Sequence, residues 1–296
     1  MSARAAPSPG ERARIRAVAI VPARLASQRL PRKMLLAETG TPLFAHTARR
    51  VALSGAIERV VVATDSEEIE ASARALGIEC VRTRPDHASG TDRVFEAWQM
   101  LAAADAGEAD VVLDVQGDEP ELDPEDLGRL VAAFHEAEVE IATLCGPVSS
   151  PAEADFSHVV KVVRDARGDA LYFSRSAIPH RASPPGGEPS RAYSRAGAPP
   201  WLGALRRHVG VYAFRPAALA RFCALPEGTL EGIENLEQLR WLESGRRMRV
   251  LDALHVPLGI DTRSDYDAFV ERVLRASAAE PGSRPPRSRA SGRRPD

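Results

Sequence analysis

Arg24, Arg29, Arg32 and Lys33 fall within ten consecutive positions of the stretch VAIVPARLASQRLPRKML, residues 18–35. Four cations on one loop suit a polyanion, and a chain of phosphates in particular, because each can donate hydrogen bonds while neutralising charge. A solvated basic turn would carry the same residues. Lysine usage favours the phosphate cradle: of 39 Lys plus Arg, only Lys33 and Lys161 are lysine. The compact, rotatable ammonium matters where a cation must follow charge moving between phosphate oxygens. Asp118 in QGDEP and Asp261 in GIDTRSD are the candidate metal ligands, since Mg²⁺ takes one or two carboxylates plus water and substrate phosphate oxygens. A turn aspartate and a helix cap are the ordinary alternatives, although Thr262 is available for the second role. The patterns GxxxxGK[ST] and GxGxxG are both absent, so the phosphate binder is of another kind.

These residues need a frame. An apolar strand over Ala17 to Val21 stops at Pro22 and opens into the basic loop, the position where open α/β sheets bind ligands. Helical spacing over Pro42 to Leu53 is followed by strand RVVVA (59–63), then by Thr64-Asp65-Ser66-Glu67-Glu68, a cap with acids in the first turn of a helix that Gly77 ends. Ile78 to Arg82 reads as a strand, Ser89-Gly90-Thr91-Asp92 as a helix start, and DVVLDV (110–115) as the strand that delivers Asp118. This βαβ order predicts a mostly parallel sheet. Beyond Asp123-Pro124-Glu125, a helix start, the pattern changes: Ile141 to Leu144, Val159 to Arg164 and Ala170 to Phe173 are strands, the last two joined as a hairpin. A long Pro/Gly/Ser loop covers 181–203. Arg207 to Phe214 is a strand, Leu230 to Glu243 a helix, Met248 to Leu251 a late strand and Arg263 to Leu274 the final helix.

The 296 residues, 44% hydrophobic and 27% charged, describe an ordinary globular chain. A formal charge of -2 leaves no global field for nucleic acid or an anionic membrane. No apolar run approaches a membrane span. Cys80, Cys145 and Cys223 are odd in number and widely spaced, which argues for a reducing, cytoplasmic setting rather than disulfides or zinc. Residues 1–14 read as a flexible leader, 15–276 as one domain with an inserted hairpin and dimerisation region at about 141–207, and 277–296 as a disordered Arg/Pro/Ser tail.

PARLASQRLPRKML, VVVATDSEEI, ASGTDR, DVQGDEP, VVKVVRDARGDALYFSRSAIP, RRHVGVYAFR, ENLEQLRWLESG and GIDTRSD closely resemble, in order, the motifs of the 3-deoxy-manno-octulosonate (Kdo) cytidylyltransferases, over roughly residues 16–275. The resemblance implies a three-layer α/β/α nucleotide-diphospho-sugar transferase-like fold with a mostly parallel mixed sheet, in a homodimer. It implies that CTP and Kdo are joined into CMP-Kdo with release of pyrophosphate, for lipopolysaccharide biosynthesis, with Mg²⁺ as cofactor. Arg24 and Lys33 would then hold the triphosphate and Asp118 with Asp261 the metal; Ala23, Ser89, Gly90, Thr91 and Gln116 would belong to the nucleotide pocket. Gln116, Arg175, His208, Tyr212, Glu237 and Gln238 would line the sugar side, Arg175 facing the sugar carboxylate. Taken without the family, His208 reads as a core histidine and Glu234, Glu237 and Gln238 as a solvated helix face. Lys161, mid-strand in VVKVV, needs a partner that the sequence does not name.

The chain departs from the family pattern at Gln28, where a small hydroxyl residue is more usual, at Arg32, where glycine is common, and at His180, where an aromatic is common. An amino-substituted Kdo, a sialic acid or a phosphonate as acceptor, or a non-catalytic nucleotide-binding subunit, would leave much the same sequence.

Overall fold

The computed structural model describes residues 14–27, 29–105, 109–180 and 205–279. Gln28, the leader up to residue 13, the loop from 181 to 203 and the tail beyond 279 lie outside the described residues. The strands are β1 (Ala17–Ala23), β2 (Arg59–Thr64), β3 (Cys80–Arg82), β4 (Val111–Val115), β5 (Ile141–Pro147), β6 (Lys161–Arg164), β7 (Ala170–Ser174), β8 (Arg206–Phe214) and β9 (Arg249–Asp252). The α-helices are α1 (Leu43–Ala52), α2 (Glu67–Ala75), α3 (Gly90–Asp105), α4 (Pro124–Ala132), α5 (Pro151–Asp155), α6 (Pro216–Ala224), α7 (Thr229–Glu234), α8 (Leu239–Glu243) and α9 (Arg263–Ala279).

One sheet holds all nine strands of the described residues, in the order β3-β2-β1-β4-β8-β5-β9, with the β6–β7 hairpin attached through β6 to β8. Pairings β1–β2, β1–β4, β2–β3 and β5–β9 are parallel; β8 runs antiparallel to both β4 and β5. Strands covered on both faces are apolar throughout rather than alternating, and β4 is buried at every position. Apolar residues of α1, α2 and α4, among them Phe44, Ile69 and Leu127, fill one face. Val94 and Trp98 of α3, Phe222 of α6 and Trp241 of α8 fill the other. The outcome is the expected three-layer α/β/α architecture.

Local chemistry sets the helix starts. Ser66 accepts from the Ile69 amide ahead of three first-turn glutamates in α2, and Asp123 caps α4 with Pro124 behind it; such caps contribute about 1 kcal/mol each.

Two elements differ from expectation. β1 runs through Pro22 to Ala23, because its pairing with β4 ends at Ile20↔Asp114 while Pro22 and Ala23 still pair with β2. The helix expected over Leu230 to Glu243 is two short helices, α7 and α8, parted at Asn235, which takes a left-handed conformation (φ 51°). Asparagine tolerates that conformation better than most residues, and the break puts Glu237 and Gln238 at a turn. β5 is a full member of the central sheet, so the part of 141–207 that stands off the main strand path is the β6–β7 hairpin.

Candidate active site

In the order 3-2-1-4 the strands are first added on one side of β1 and then on the other, and the crevice beyond the carboxyl ends of the parallel pair β1 and β4 is where α/β sheets hold ligands. The loop after β1 supplies the basic residues and the loop after β4 supplies Gln116, Gly117 and Asp118. Gly117 is required by proximity: a Cβ there would stand 3.0 Å from both the Pro22 carbonyl oxygen and Met34 Sδ. The Thr47 hydroxyl of α1 donates to the Gly117 carbonyl at 2.8 Å, and the Ile260 amide donates to the Asp118 carbonyl at 3.1 Å. Three separate segments therefore fix the position of Asp118.

Asp261 arrives from the other end of the chain. Tyr266 and Phe269 of α9 pack with Leu30, Leu43 and Ile260, and the Tyr266 hydroxyl donates to Glu38 at 2.6 Å. The cap of α9 is Thr262, whose hydroxyl accepts from the Asp265 amide while Asp265 accepts from the Thr262 amide at 2.8 Å. Asp261 is thereby released from capping and faces the basic loop.

Lys33 joins the two carboxylates. Its Nζ lies 2.6 Å from Asp118 Oδ2 and 3.4 Å from Asp261 Oδ1, and donates to the Ile260 carbonyl at 2.8 Å. The Lys33 residue is 7% exposed, in a 3₁₀ turn entered through Arg32, which is left-handed at φ 57°. Arg29 Nη2 holds Asp261 Oδ1 from the solvent side at 2.9 Å, while the Arg32 guanidinium pairs with Glu68. Arg24 is exposed and has no ion-pair partner among the described residues; Ala23 is buried at the end of β1.

The donor set suits a hard cation that keeps its waters. Two carboxylates already converge on one ammonium, and no group of three or more His, Cys, Asp or Glu capable of holding a metal occurs among the described residues. An ion held by Asp118 and Asp261 would complete its shell with water and phosphate oxygens, which is the habit of Mg²⁺. Beside them Glu119 is half-buried, with its Oε2 buried and without a hydrogen-bond partner among the described residues, and desolvation together with the Asp118 charge pushes its carboxyl up to about 8. Glu119, Arg207, His208 and Asp261 share the walls of a cleft of about 480 Å³.

On the α3 side, Ser89 and Asp92 form a reciprocal cap, the Ser89 hydroxyl accepting from the Asp92 amide at 3.1 Å and Asp92 accepting from the Ser89 amide at 3.2 Å. Gly90 lets Gln116 lie close, since a Cβ there would be 3.3 Å from Gln116 Nε2. Thr91, buried, touches both Asp114 and Glu237, and Gln116 Nε2 donates to Asp114 at 2.8 Å. Burial, with Glu237 nearby, pushes the Asp114 carboxyl up to about 8, and burial raises Glu237 as well. Gln238 is 3% exposed, and Glu234 accepts from the Ser174 hydroxyl at 2.6 Å and the Arg175 amide at 2.8 Å, so this stretch is no solvated helix face.

On β8, the His208 and Tyr212 rings lie 5.3 Å apart, on one face as alternation requires. Thr143 donates to the Val211 carbonyl at 2.7 Å, so His208 Nε2, 2.9 Å from Thr143 Oγ1, carries the proton of that bond. Burial, with Arg207 beside it, depresses the imidazole to about 3. Burial raises the Tyr212 phenol well above its ordinary value. Arg175 donates through Nε to the Glu234 carbonyl at 2.7 Å and through Nη1 and Nη2 to the Ser157 and Asn235 carbonyls at 3.1 Å. Among the described residues each Nη makes one such bond, which leaves one N–H of each without a partner there. The partner Lys161 required is backbone: its buried Nζ donates to the carbonyls of Phe156, Val159 and Arg175.

Sequence reading passed over Asp114, Arg93 and Glu119. The first two had a signal: Asp114 is an acid inside the apolar run VVLDV, and Arg93 sits in the first turn of a helix with apolar neighbours. Arg93 is fully buried and bonds Asp65 at 3.1 Å and Thr83 at 2.6 Å, tying the turn after β2 to α3.

Known proteins resemble this chain over most of its length. The profile of the family described as cytidylyltransferase matches residues 18–248. A 3-deoxy-manno-octulosonate cytidylyltransferase of Anaeromyxobacter sp. (strain Fw109-5) is 46% identical over 252 residues, 85% of this chain and 94% of that protein. One from Xanthobacter autotrophicus is 43% identical over 270 residues, 90% and 96% of the two chains. Among solved structures, CMP:2-keto-3-deoxy-manno-octonic acid synthetase complexed with CTP superposes with a TM-score of 0.75 at 35% identity, covering 88% of this chain and 99% of that one. A 4-diphosphocytidyl-2C-methyl-D-erythritol synthase from Anaerococcus prevotii, 14% identical with a TM-score of 0.54 over 88% of this chain and 96% of its own, shares the fold. With that breadth of match and a crevice of phosphate-suited cations facing paired carboxylates, the chain belongs to the 3-deoxy-manno-octulosonate cytidylyltransferase family.

Proposed function

We propose that this protein transfers the cytidylyl group of CTP to the acidic sugar Kdo, giving CMP-Kdo and pyrophosphate, with Asp118 and Asp261 holding Mg²⁺. The observation that carries the reading is the convergence of Lys33, Asp118 and Asp261 beyond the carboxyl ends of β1 and β4. In the transfer, the anomeric oxygen of the sugar bonds to the α-phosphorus as the α–β anhydride breaks, so positioning and charge neutralisation carry most of the catalysis. Arg24, exposed at the mouth of the loop, and Lys33 are the cations placed for the triphosphate and for the pyrophosphate that leaves. Ala23 and the turn at Ser89, Gly90 and Thr91 offer backbone to the nucleotide, because the Ser89 hydroxyl is committed to its cap. His208, neutral at ordinary pH, Tyr212 and Gln238 form a preorganised wall for the sugar, and the open N–H groups of Arg175 suit its carboxylate. Mg²⁺, when bound, would supply charge neutralisation at the α-phosphate and lower the pKa of the attacking hydroxyl.

No helix among the described residues is long and apolar enough to cross a membrane. The proposal includes a cytoplasmic homodimer and no nucleic-acid partner. Pyrophosphate release from purified protein with Mg²⁺, Kdo and each of the four NTPs tests the reaction. Release with CTP alone, lost in Asp118→Ala, is the expected result; no release with any NTP overturns it.

A further inference from the structure

Thr91 Oγ1 has one proton and two carboxyl neighbours. It lies 3.0 Å from Asp114 Oδ2 and 2.5 Å from Glu237 Oε1. Thr91 and Asp114 are 1% and 0% exposed, and both contacts are direct. A hydroxyl that donates to one oxygen can only accept from the other. One carboxyl must therefore supply a second proton, or two oxygen lone pairs face each other in a dry interior.

Among the described residues the one cation whose charge reaches Glu237 is Arg240. Asp114 sits on β4 opposite Tyr212 of β8 and Ile20 of β1. α3 adds Asp92, and α6 adds Cys223, whose Sγ lies 3.8 Å from the Thr91 carbonyl oxygen. The nearby Arg240 of α8 is committed to Glu231, with Nε at 2.7 Å. Glu237 Oε2 is buried and without a hydrogen-bond partner.

We propose that Asp114 and Glu237 hold a single proton between them through the Thr91 hydroxyl, and that this proton fixes Glu237 toward the acceptor sugar while Asp114 itself holds Gln116 beside it. Asp114 is then a positioning residue for the transfer. The hydrogen bonds run in one direction: Gln116 Nε2 donates to Asp114 Oδ1, Asp114 Oδ2 to Thr91, and Thr91 to Glu237, in keeping with the shorter distance to a charged acceptor. The order leaves Gln116 Oε1 available as an acceptor and Glu237 charged. Loss of the proton would put two charges on one hydroxyl, so that Asp114 and Glu237 repel each other across Thr91 while the Asp114 carboxylate still accepts from Gln116. The proposal rests on reading Gln116 and Glu237 as sugar-side residues.

Two measurements test it. Infrared difference spectra of the purified protein, wild type minus Asp114→Asn at neutral pH, report a protonated carboxyl without any turnover. A carboxylic-acid band present in the wild type and missing from the variant is expected; its absence from the wild type overturns the shared proton. The pH dependence of kcat/KM for Kdo, at saturating CTP and Mg²⁺, reports its role. Asp114→Ala is expected to lower kcat/KM for the sugar by roughly 10–100-fold while leaving the KM for CTP nearly unchanged, because Thr91 and Gln116 lose a partner. Asp114→Asn, whose amide is a permanent donor to Thr91, is expected to recover most of that loss and to move the alkaline limb up by about one pH unit or more, a tenfold change in proton activity. An alkaline limb that coincides with the wild type, or a loss spread equally over CTP and sugar, overturns the positioning role. If the wild type releases no pyrophosphate, the functional reading fails while the infrared result still decides the proton.

Discussion

Replacing Lys33 with methionine removes the ammonium that two carboxylates share and keeps most of the side-chain volume. The three side chains are 9%, 25% and 39% exposed for Lys33, Asp118 and Asp261. At an effective dielectric of about 20 each contact represents about 4 kcal/mol of gross attraction. Desolvation and the partial exposure of both acids reduce the net cost of the substitution to about 2–3 kcal/mol. For a domain of this size that lowers the melting temperature by about 4–10 °C. The vacated position between Asp118 and Asp261 then becomes available to a free cation. At about 10 mM Mg²⁺ and a dissociation constant of about 1 mM, binding returns about 1.4 kcal/mol, or about 3–5 °C. Melting curves of wild type and Lys33→Met, with Mg²⁺ and with chelator, measure both effects, and pyrophosphate release should fall by about 10²–10³-fold. A Lys33→Met melting temperature within about 1 °C of wild type, or one indifferent to Mg²⁺, would refute the picture of one ammonium bridging two metal-competent carboxylates.

Other outcomes follow from particular contacts. Arg32→Gly and Arg32→Ala both lose the exposed pair with Glu68, but only glycine relieves the left-handed backbone, so urea unfolding should find the glycine variant more stable by about 1 kcal/mol. Lys161→Met strands three carbonyls, one of them belonging to Arg175, and should cost about 3 kcal/mol while raising the KM for Kdo more than that for CTP; equal changes in the two would argue that Lys161 only stabilises the fold. His208, depressed to about 3, should show the neutral, Nε2-protonated ring by nitrogen NMR across pH 5–9. Its contribution to stability has the matching sign. Above its unfolded pKa both states are neutral; as pH falls below that toward 3 the unfolded chain takes a proton the folded one refuses, so stability declines. A His208→Gln variant with an unchanged acid limb of stability would contradict that assignment.

The parallel half of the fold was legible because its signals are local. Ser66, Asp123 and Thr262 cap helices where their types and spacing suggested, and apolar runs mark strands covered on both faces. The extension of β1 through Pro22 was not legible, since it depends on where β4 stops pairing. Nor was the break at Asn235: the apolar spacing of Leu230 to Glu243 is helical, and one left-handed residue overrides it. For the site, Lys33, Asp118 and Asp261 stood out by type and by the loops they occupy. Asp114 and Arg93 take their meaning from partners far along the chain, Glu237 for one and Asp65 for the other. No window of sequence contains those pairs.

The small cluster of Leu30, Leu43, Ile260, Tyr266 and Phe269 also has a bearing on how the enzyme comes into being. Lys33 and Asp261 are 228 residues apart, so the second carboxylate is synthesised long after the basic loop and the first. A chain still emerging from the ribosome can build the parallel sheet domain-first and shelter its apolar strands. Until α9 docks, however, it has a phosphate loop facing a single acid. The pairing of Lys33 with both carboxylates is thus completed only when α9 docks, and on the proposed function a partly made polypeptide would have no means of spending CTP.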